Sequence, residues 1–113
     1  MSKFDDAMVT YKAAMDKIGA SYDEALLKAV AKGLGPAIYN KDSKLVSCSD
    51  PEELMRVKNN FLVKKLGMAD SDELMDAVHA ICEATKDLKS NKHRAVFYYL
   101  LVKHYGKEDV YAS

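Results

Sequence analysis

Few residues in this chain could do chemistry: three histidines, two cysteines and one compact basic cluster. His79 and Cys82 stand three apart, which on a helix places them on one face. A neutral imidazole and a thiolate could bind zinc together, but zinc takes four ligands, and no CxxC or HExxH spacing supplies the other two. His93 and His104 are not tied to that pair by any spacing. Cys82 also falls beside an apolar stripe, where a free cysteine behaves as a small hydrophobe. No metal and no cofactor is therefore expected. Cysteine–histidine catalysis needs a thiolate held beside an imidazole. Cys48 sits in the polar stretch Ser47-Cys48-Ser49-Asp50 and reads as an unreactive loop cysteine, since only a helix start at Pro51 could lower its pKa. A single bridge between Cys48 and Cys82 stays open at this level.

The stronger chemical hint is cationic. Asn91-Lys92-His93-Arg94 lies at the expected start of a helix, where positive charge opposes the dipole. Such cations are either solvated or combine with free backbone N–H groups to hold an anion. The four residues Asn91, Lys92, His93 and Arg94 are thus the candidate anion or partner contact. Charge is also blocked along the chain. Arg56 to Lys65 carries four basic residues and no acid, Lys86 to Lys107 six against Asp87 alone, and Leu66 to Thr85 five acids and no base. Blocks of this kind are complementary faces within one fold or a binding surface. Tyr99, between Lys92 and Lys103, could stack on a base; a packed ring with its hydroxyl in water is the better reading. Gly33-Leu34-Gly35-Pro36 lacks both the preceding strand and third glycine of a dinucleotide loop and the Gly-Lys-Ser/Thr of a P-loop. Its glycines end one helix and turn into the next.

Elements that could position these groups are helical. Phe4, Met8, Tyr11, Met15 and Ile18 are spaced four, three, four and three, a stripe on one helix face that Gly19 stops. Ser21 and Glu24 form a capping box, so a second helix is expected from Tyr22 to Gly33. Pro36 suits the first turn of a short helix, and residues 40–49 form a polar loop. Asp50-Pro51-Glu52-Glu53 combines a cap, a first-position proline and acids that suit the dipole. The helix it opens buries Leu54, Val57, Phe61 and Leu62 and ends at Gly67. Asp70 and Glu73 are a second capping box, before a helix with Leu74, Val78 and Ile81 on its buried side. Asn91 is the expected cap of the last helix, which runs to about Tyr105. Ala95 to Val102 surround its axis with apolar groups, as in a helix that others pack around. Phe61, Val78, Phe97, Leu100 and Leu101 are the expected shared core.

The whole chain has 113 residues, with 17 basic and 17 acidic side chains. A chain of this length buries roughly 65% of its unfolded surface, enough for one core without staples. Neutral net charge disfavours a dedicated nucleic-acid binder, which is usually basic throughout. Two cysteines are fewer than a secreted disulfide scaffold carries, which favours a reducing compartment. The stretch Met1 to Asp6 has no signal-peptide core, and the longest apolar run is too short to span a bilayer.

Three segments together, Leu34-Gly35-Pro36-Ala37-Ile38-Tyr39-Asn40, Asn60 to Gly67 and Asn91 to Lys107, carry a resemblance over most of the chain. They resemble a small bacterial family classified as a domain of unknown function, family 2853. That resemblance implies a bacterial cytoplasmic origin and one compact domain, and it brings no activity, cofactor or catalytic residue.

The reading is thus an all-α single domain over residues 1–113, with about five helices and a central apolar C-terminal helix. A cytoplasmic protein-interaction or structural module is expected, with a protein partner or self-association and no membrane contact. An anion or nucleic-acid binder using the basic start of the last helix is the alternative. No enzyme is expected, because no paired carboxylates, nucleophile–base set or cofactor loop is present.

Overall fold

The computed structural model describes residues 3–111; Met1 and Ser2 of the N-terminal stretch, and Ala112 and Ser113, lie outside it. The four-three spacing at the N-terminus folds as α1 (Lys3–Lys17), which buries Met8, Tyr11 and Met15. Gly19 follows at a φ of +70°, where an L side chain is strained. The next helix, α2 (Glu24–Leu34), starts two residues later than the Ser21–Glu24 box implies. Its cap is Asp23, whose Oδ1 accepts the N–H groups of Ala25 at 2.9 Å and Leu26 at 3.3 Å. Asp23 wins because its own N–H is held at 2.7 Å by the Tyr99 hydroxyl, a contact across 76 residues. Tyr99 is thus fully buried, and its hydroxyl serves a helix start rather than facing water. A short 3-10 turn, Gly35–Ile38, follows with Pro36 in its first turn.

Asp50 and Pro51 act as their residue types suggest: Asp50 accepts the Glu52 N–H at 3.0 Å and α3 (Pro51–Arg56) begins at the proline. The chain then widens without a break into a nine-residue π-helical stretch, Val57–Lys65. A π turn closes onto the fifth residue rather than the fourth, so positions four and five apart share a face. Val57, Phe61, Leu62 and Leu66 have those spacings and are all buried. The bond from Leu66 N–H to the Phe61 carbonyl, 2.9 Å, is of this five-residue type.

The fourth helix, α4 (Asp72–Ala84), has Ser71 at its cap position and no side-chain cap. The expected Asp70–Glu73 box does not form, and Asp70 instead pairs with Lys58 at 2.9 Å. Leu74, Ala77, Val78 and Ile81 face inward. After a 3-10 turn at Lys86–Leu88, α5 (Arg94–Tyr105) starts with His93 at the cap position. Asn91 does not cap it, because residues 92–94 are drawn into an antiparallel bridge with the polar loop. Val46 N–H bonds Lys92 O at 2.8 Å and Arg94 N–H bonds Lys44 O at 2.7 Å. A last 3-10 turn, Glu108–Tyr111, follows Gly106.

Seven of the twelve residues of α5 are buried, and α1, α2 and α4 all pack on it. Phe61, Val78, Phe97 and Leu101 share one core; Leu100 is only partly buried at its edge, a departure from the expected set. The Cα radius of gyration, 13.0 Å, matches the ~13 Å of a compact chain of this size. Among the described residues, no helix is long and apolar enough to cross a membrane.

Because Leu101 is fully buried in the central helix, Leu101→Ala should destabilise the fold by about 2–5 kcal/mol in a denaturant titration. Leu100→Ala should cost clearly less. Equal losses would show that α5 is not centred as described.

Candidate functional site

Two irregular segments meet in front of α5. The first comes after α4. Thr85, fully buried, donates its hydroxyl to the Ile81 carbonyl at 2.8 Å and closes the helix. The 3-10 turn Lys86–Leu88 then sinks Leu88 into the core. Lys89 comes next at a φ of +55°, the single non-glycine residue in that region among those described. A side chain held there costs roughly 1–3 kcal/mol and persists only where its surroundings over-determine it. Here the Asn91 N–H grips Leu88 O at 2.9 Å, and the Lys92 ammonium donates to the Lys89 carbonyl.

The second segment is the polar loop. Asn40 Oδ1 accepts the Asp42 N–H at 2.8 Å, and the Ser43 hydroxyl donates to Ala37 O at 2.9 Å. The bridge between Leu45 and His93 ties this loop to the turn before α5. Its tip is held differently: Cys48 is disulfide-bonded to Cys82 of α4, with Cα atoms 5.9 Å apart. The bridge that the sequence left open is thus formed, and Cys48 is not the unreactive loop thiol its neighbours suggest. The bridge also removes the Cys82 thiolate from any metal pair with His79. Closing a loop with a sequence separation of 34 residues restricts the unfolded chain by ~4 kcal/mol in the chain-entropy description.

Between the two segments lies a cleft of about 610 Å³. The loop wall presents Leu45 and Val46, then Ser47, Cys48 and Ser49; the facing wall presents Lys89, Ser90 and Lys92. Two lysines and three serines thus line a space of small-molecule size, and no lining residue carries a carboxylate or an imidazole. The Lys89 ammonium has no hydrogen-bond or ion-pair partner among the described residues, and Lys92 keeps donors beyond the one given to Lys89 O.

The four residues singled out in the sequence are separated by the fold. Lys92 lines the cleft. Asn91 lies on the other side of the turn, in a shallower hollow beside α1 that His93 shares. The His93 ring is half-buried edge-on against Tyr11, with centroids 5.6 Å apart. Burial, and then the nearby Lys44 charge, lower its pKa below the usual imidazole value. Arg94 is not open to an anion. Its guanidinium pairs with Glu53 of α3, donates to Ser43 O at 2.6 Å and to the Tyr98 hydroxyl at 2.8 Å, and leaves 12% of the side chain exposed. Glu53 is equally enclosed and takes Arg56 on its second oxygen at 2.8 Å. The basic start of α5 is therefore an internal clamp, with Lys92 alone of the four turned to the cleft. Lys89, Ser90 and the two loop serines were not anticipated. No local pattern marks them, because the cleft exists only once residues 44–46 pair with 92–94.

The charge blocks resolve in the same way. Lys58 pairs with Asp70, Lys86 with Glu83 at 2.9 Å, and Lys103 with Glu108 at 3.1 Å, so much of the basic segments is matched within the fold. Among the described residues, no three His, Cys, Asp or Glu side chains converge on a common point.

A family model described as "Protein of unknown function (DUF2853)" matches residues 10–109. No curated protein matches the chain.

The lowered His93 pKa fixes the sign of a pH effect. The unfolded chain takes up the His93 proton at the ordinary value, while the folded chain resists it until lower pH. Stability attributable to this ring is therefore complete above the ordinary imidazole pKa and lost as pH falls below it. In urea titrations at pH 7.5 and 5.5, wild type should lose more stability on acidification than His93→Gln. Parallel losses would show that the ring is not desolvated in the fold.

Proposed function

We propose, for a chain that belongs to the DUF2853 family of unknown function, that it is a binding module which takes a small anionic group in the cleft between the polar loop and the turn before α5. The observation that carries this reading is the lining: Lys89 and Lys92 with three serines and no acidic residue among them. Two cations facing a walled space attract an anion more strongly than solvated surface lysines, since low-dielectric walls focus their field. Hydroxyls supply hydrogen bonds that a phosphate or carboxylate oxygen accepts. Leu45, Val46 and Cys48 add an apolar wall, so the ligand pairs a charged head with a small apolar body.

Binding without turnover fits the same lining. General acid–base catalysis needs a group that titrates near the working pH within reach of the substrate, and the cleft holds no carboxyl or imidazole. The protein-interaction module has a weaker claim. Among the described residues, the large apolar side chains left exposed, Val9, Tyr39, Met55 and Val110, belong to four different segments rather than to one element. A cytoplasmic, bacterial setting is part of the proposal only as far as the family resemblance implies it.

The test is a phosphate series at fixed ionic strength, comparing wild type with Lys89→Ala/Lys92→Ala. Binding to the folded state alone raises stability by mass action, by ~1.4 kcal/mol at ten times Kd. Surface exclusion of phosphate stabilises any protein and should persist in the variant. Wild type should gain more than the variant. If the two stability curves run parallel, the lysines are solvated charges and the cleft holds no anion.

A further inference from the structure

The cleft wall contains a reactive bond as well as charges. Cys48 lines the cleft, partly exposed, while its disulfide partner Cys82 belongs to α4 and does not line it. Both cysteines are partly exposed, but Cys48 alone of the two lines the cleft, so a nucleophile held there lies on the Cys48 side of the bond. Lys89 and Lys92 line the same space. The loop tip would survive the loss of the bond, because its two ends are held independently. Residues 44–46 are bonded to 92–94, and Asp50 caps α3. The disulfide is thus the covalent tether between the tip, Ser47–Ser49, and α4, and its Cys48 end shares the cleft with Lys89 and Lys92.

We propose that the Cys48–Cys82 disulfide exchanges with a low-molecular-weight thiol bearing carboxylate groups, which the two lysines seat in the cleft. This rests on the anion-binding reading of the cleft. The thiol gives its proton to solvent, and its thiolate attacks Cys48 Sγ. A sulfur–sulfur bond forms between the ligand and Cys48 as the Cys48–Cys82 bond breaks. Cys82 leaves with the electron pair as a thiolate and takes up a proton from solvent. The small thiol is oxidised to the mixed disulfide as Cys82 is reduced, so no further oxidant or reductant is needed. The product is the protein carrying the small thiol on Cys48, with the loop tip released from α4. A thiol without carboxylates can perform the same step, but its thiolate carries a single negative charge and gains less from the lysines.

The experiment follows loss of the disulfide in the full-length oxidised protein by acid quench, alkylation and intact mass. Glutathione serves as the carboxylate-bearing thiol and 2-mercaptoethanol as the one without carboxylates, at matched thiolate concentration. Wild type should react with glutathione roughly tenfold faster than Lys89→Ala/Lys92→Ala does, in line with electrostatic steering into a charged cleft. The 2-mercaptoethanol rates should differ much less between the two proteins, because its thiolate carries only the one charge. Peptide mapping should place the glutathione on Cys48. Should the double variant fold poorly, wild type alone still decides: added salt must slow glutathione clearly more than 2-mercaptoethanol. Equal glutathione rates with and without the lysines, no salt dependence, or an adduct on Cys82 would overturn the proposal. Calorimetry with S-methylglutathione, which cannot exchange, separates the two readings. If it binds while exchange shows no charge preference, the exchange proposal fails and the cleft stands; if it does not bind and no preference appears, both fail.

Discussion

The Arg94 guanidinium is the point on which the irregular half of this fold converges. It lies in the first turn of α5, where its charge opposes the helix dipole. It is nonetheless enclosed, with Glu53 of α3 on one side, the Tyr98 ring and hydroxyl on another, and the loop carbonyl of Ser43 on a third. Burial alone works against its charge, and the neighbouring Tyr98 and Glu53 groups more than offset it. A planar, five-donor cation is the side chain suited to such a site, because it can serve several acceptors at fixed angles. The bond to Ser43 spans 51 residues and that to Glu53 spans 41, so one side chain fixes three remote segments together.

The cleft is a consequence of that clamp. Once Arg94 holds residues 43–45, the backbone bonds of Lys44 and Val46 to Arg94 and Lys92 set the depth of the loop wall. The disulfide sets its tip. The facing wall owes its shape to the strained turn at Lys89. Cations consumed in ion pairs and cations left for a ligand are thereby separated: Arg56, Lys58, Arg94 and Lys103 are paired internally. Lys89 and Lys92 remain in the cleft.

Legibility of the chain divides along the same line. Helices whose signals are local came out as expected. Asp50-Pro51-Glu52-Glu53 caps, starts and charges α3 within four positions, and Ala95 to Val102 declare a surrounded helix by being apolar all round. Signals that compete with distant contacts failed. The Ser21–Glu24 box lost to Asp23 because Tyr99 supports that residue from α5. Asp70 was taken by Lys58, and Asn91 by the bridge to the loop. The π-helical stretch was legible in principle, since Val57, Phe61, Leu62 and Leu66 are spaced by fours and fives. Of the site, only Lys92 was found. Arg94 was singled out for its charge, but nothing local shows that Glu53 would bury it. Two cysteines 34 positions apart carry no spacing that distinguishes a bridge from two free thiols.

The central claim is that the Arg94–Glu53 pair is a structural clamp and not a solvated contact. Breaking a buried pair from one side leaves an uncompensated charge, whereas removing both partners does not. The most direct measurement is therefore a double-mutant cycle by denaturant unfolding with Glu53→Gln, Arg94→Met and the double variant. The clamp predicts that each single change costs about 3–5 kcal/mol. It also predicts that the double variant loses less than the sum by roughly 1–3 kcal/mol. Costs that add to within ~0.5 kcal/mol would show that the two side chains do not act as a pair, and would remove the foundation of the cleft built on them.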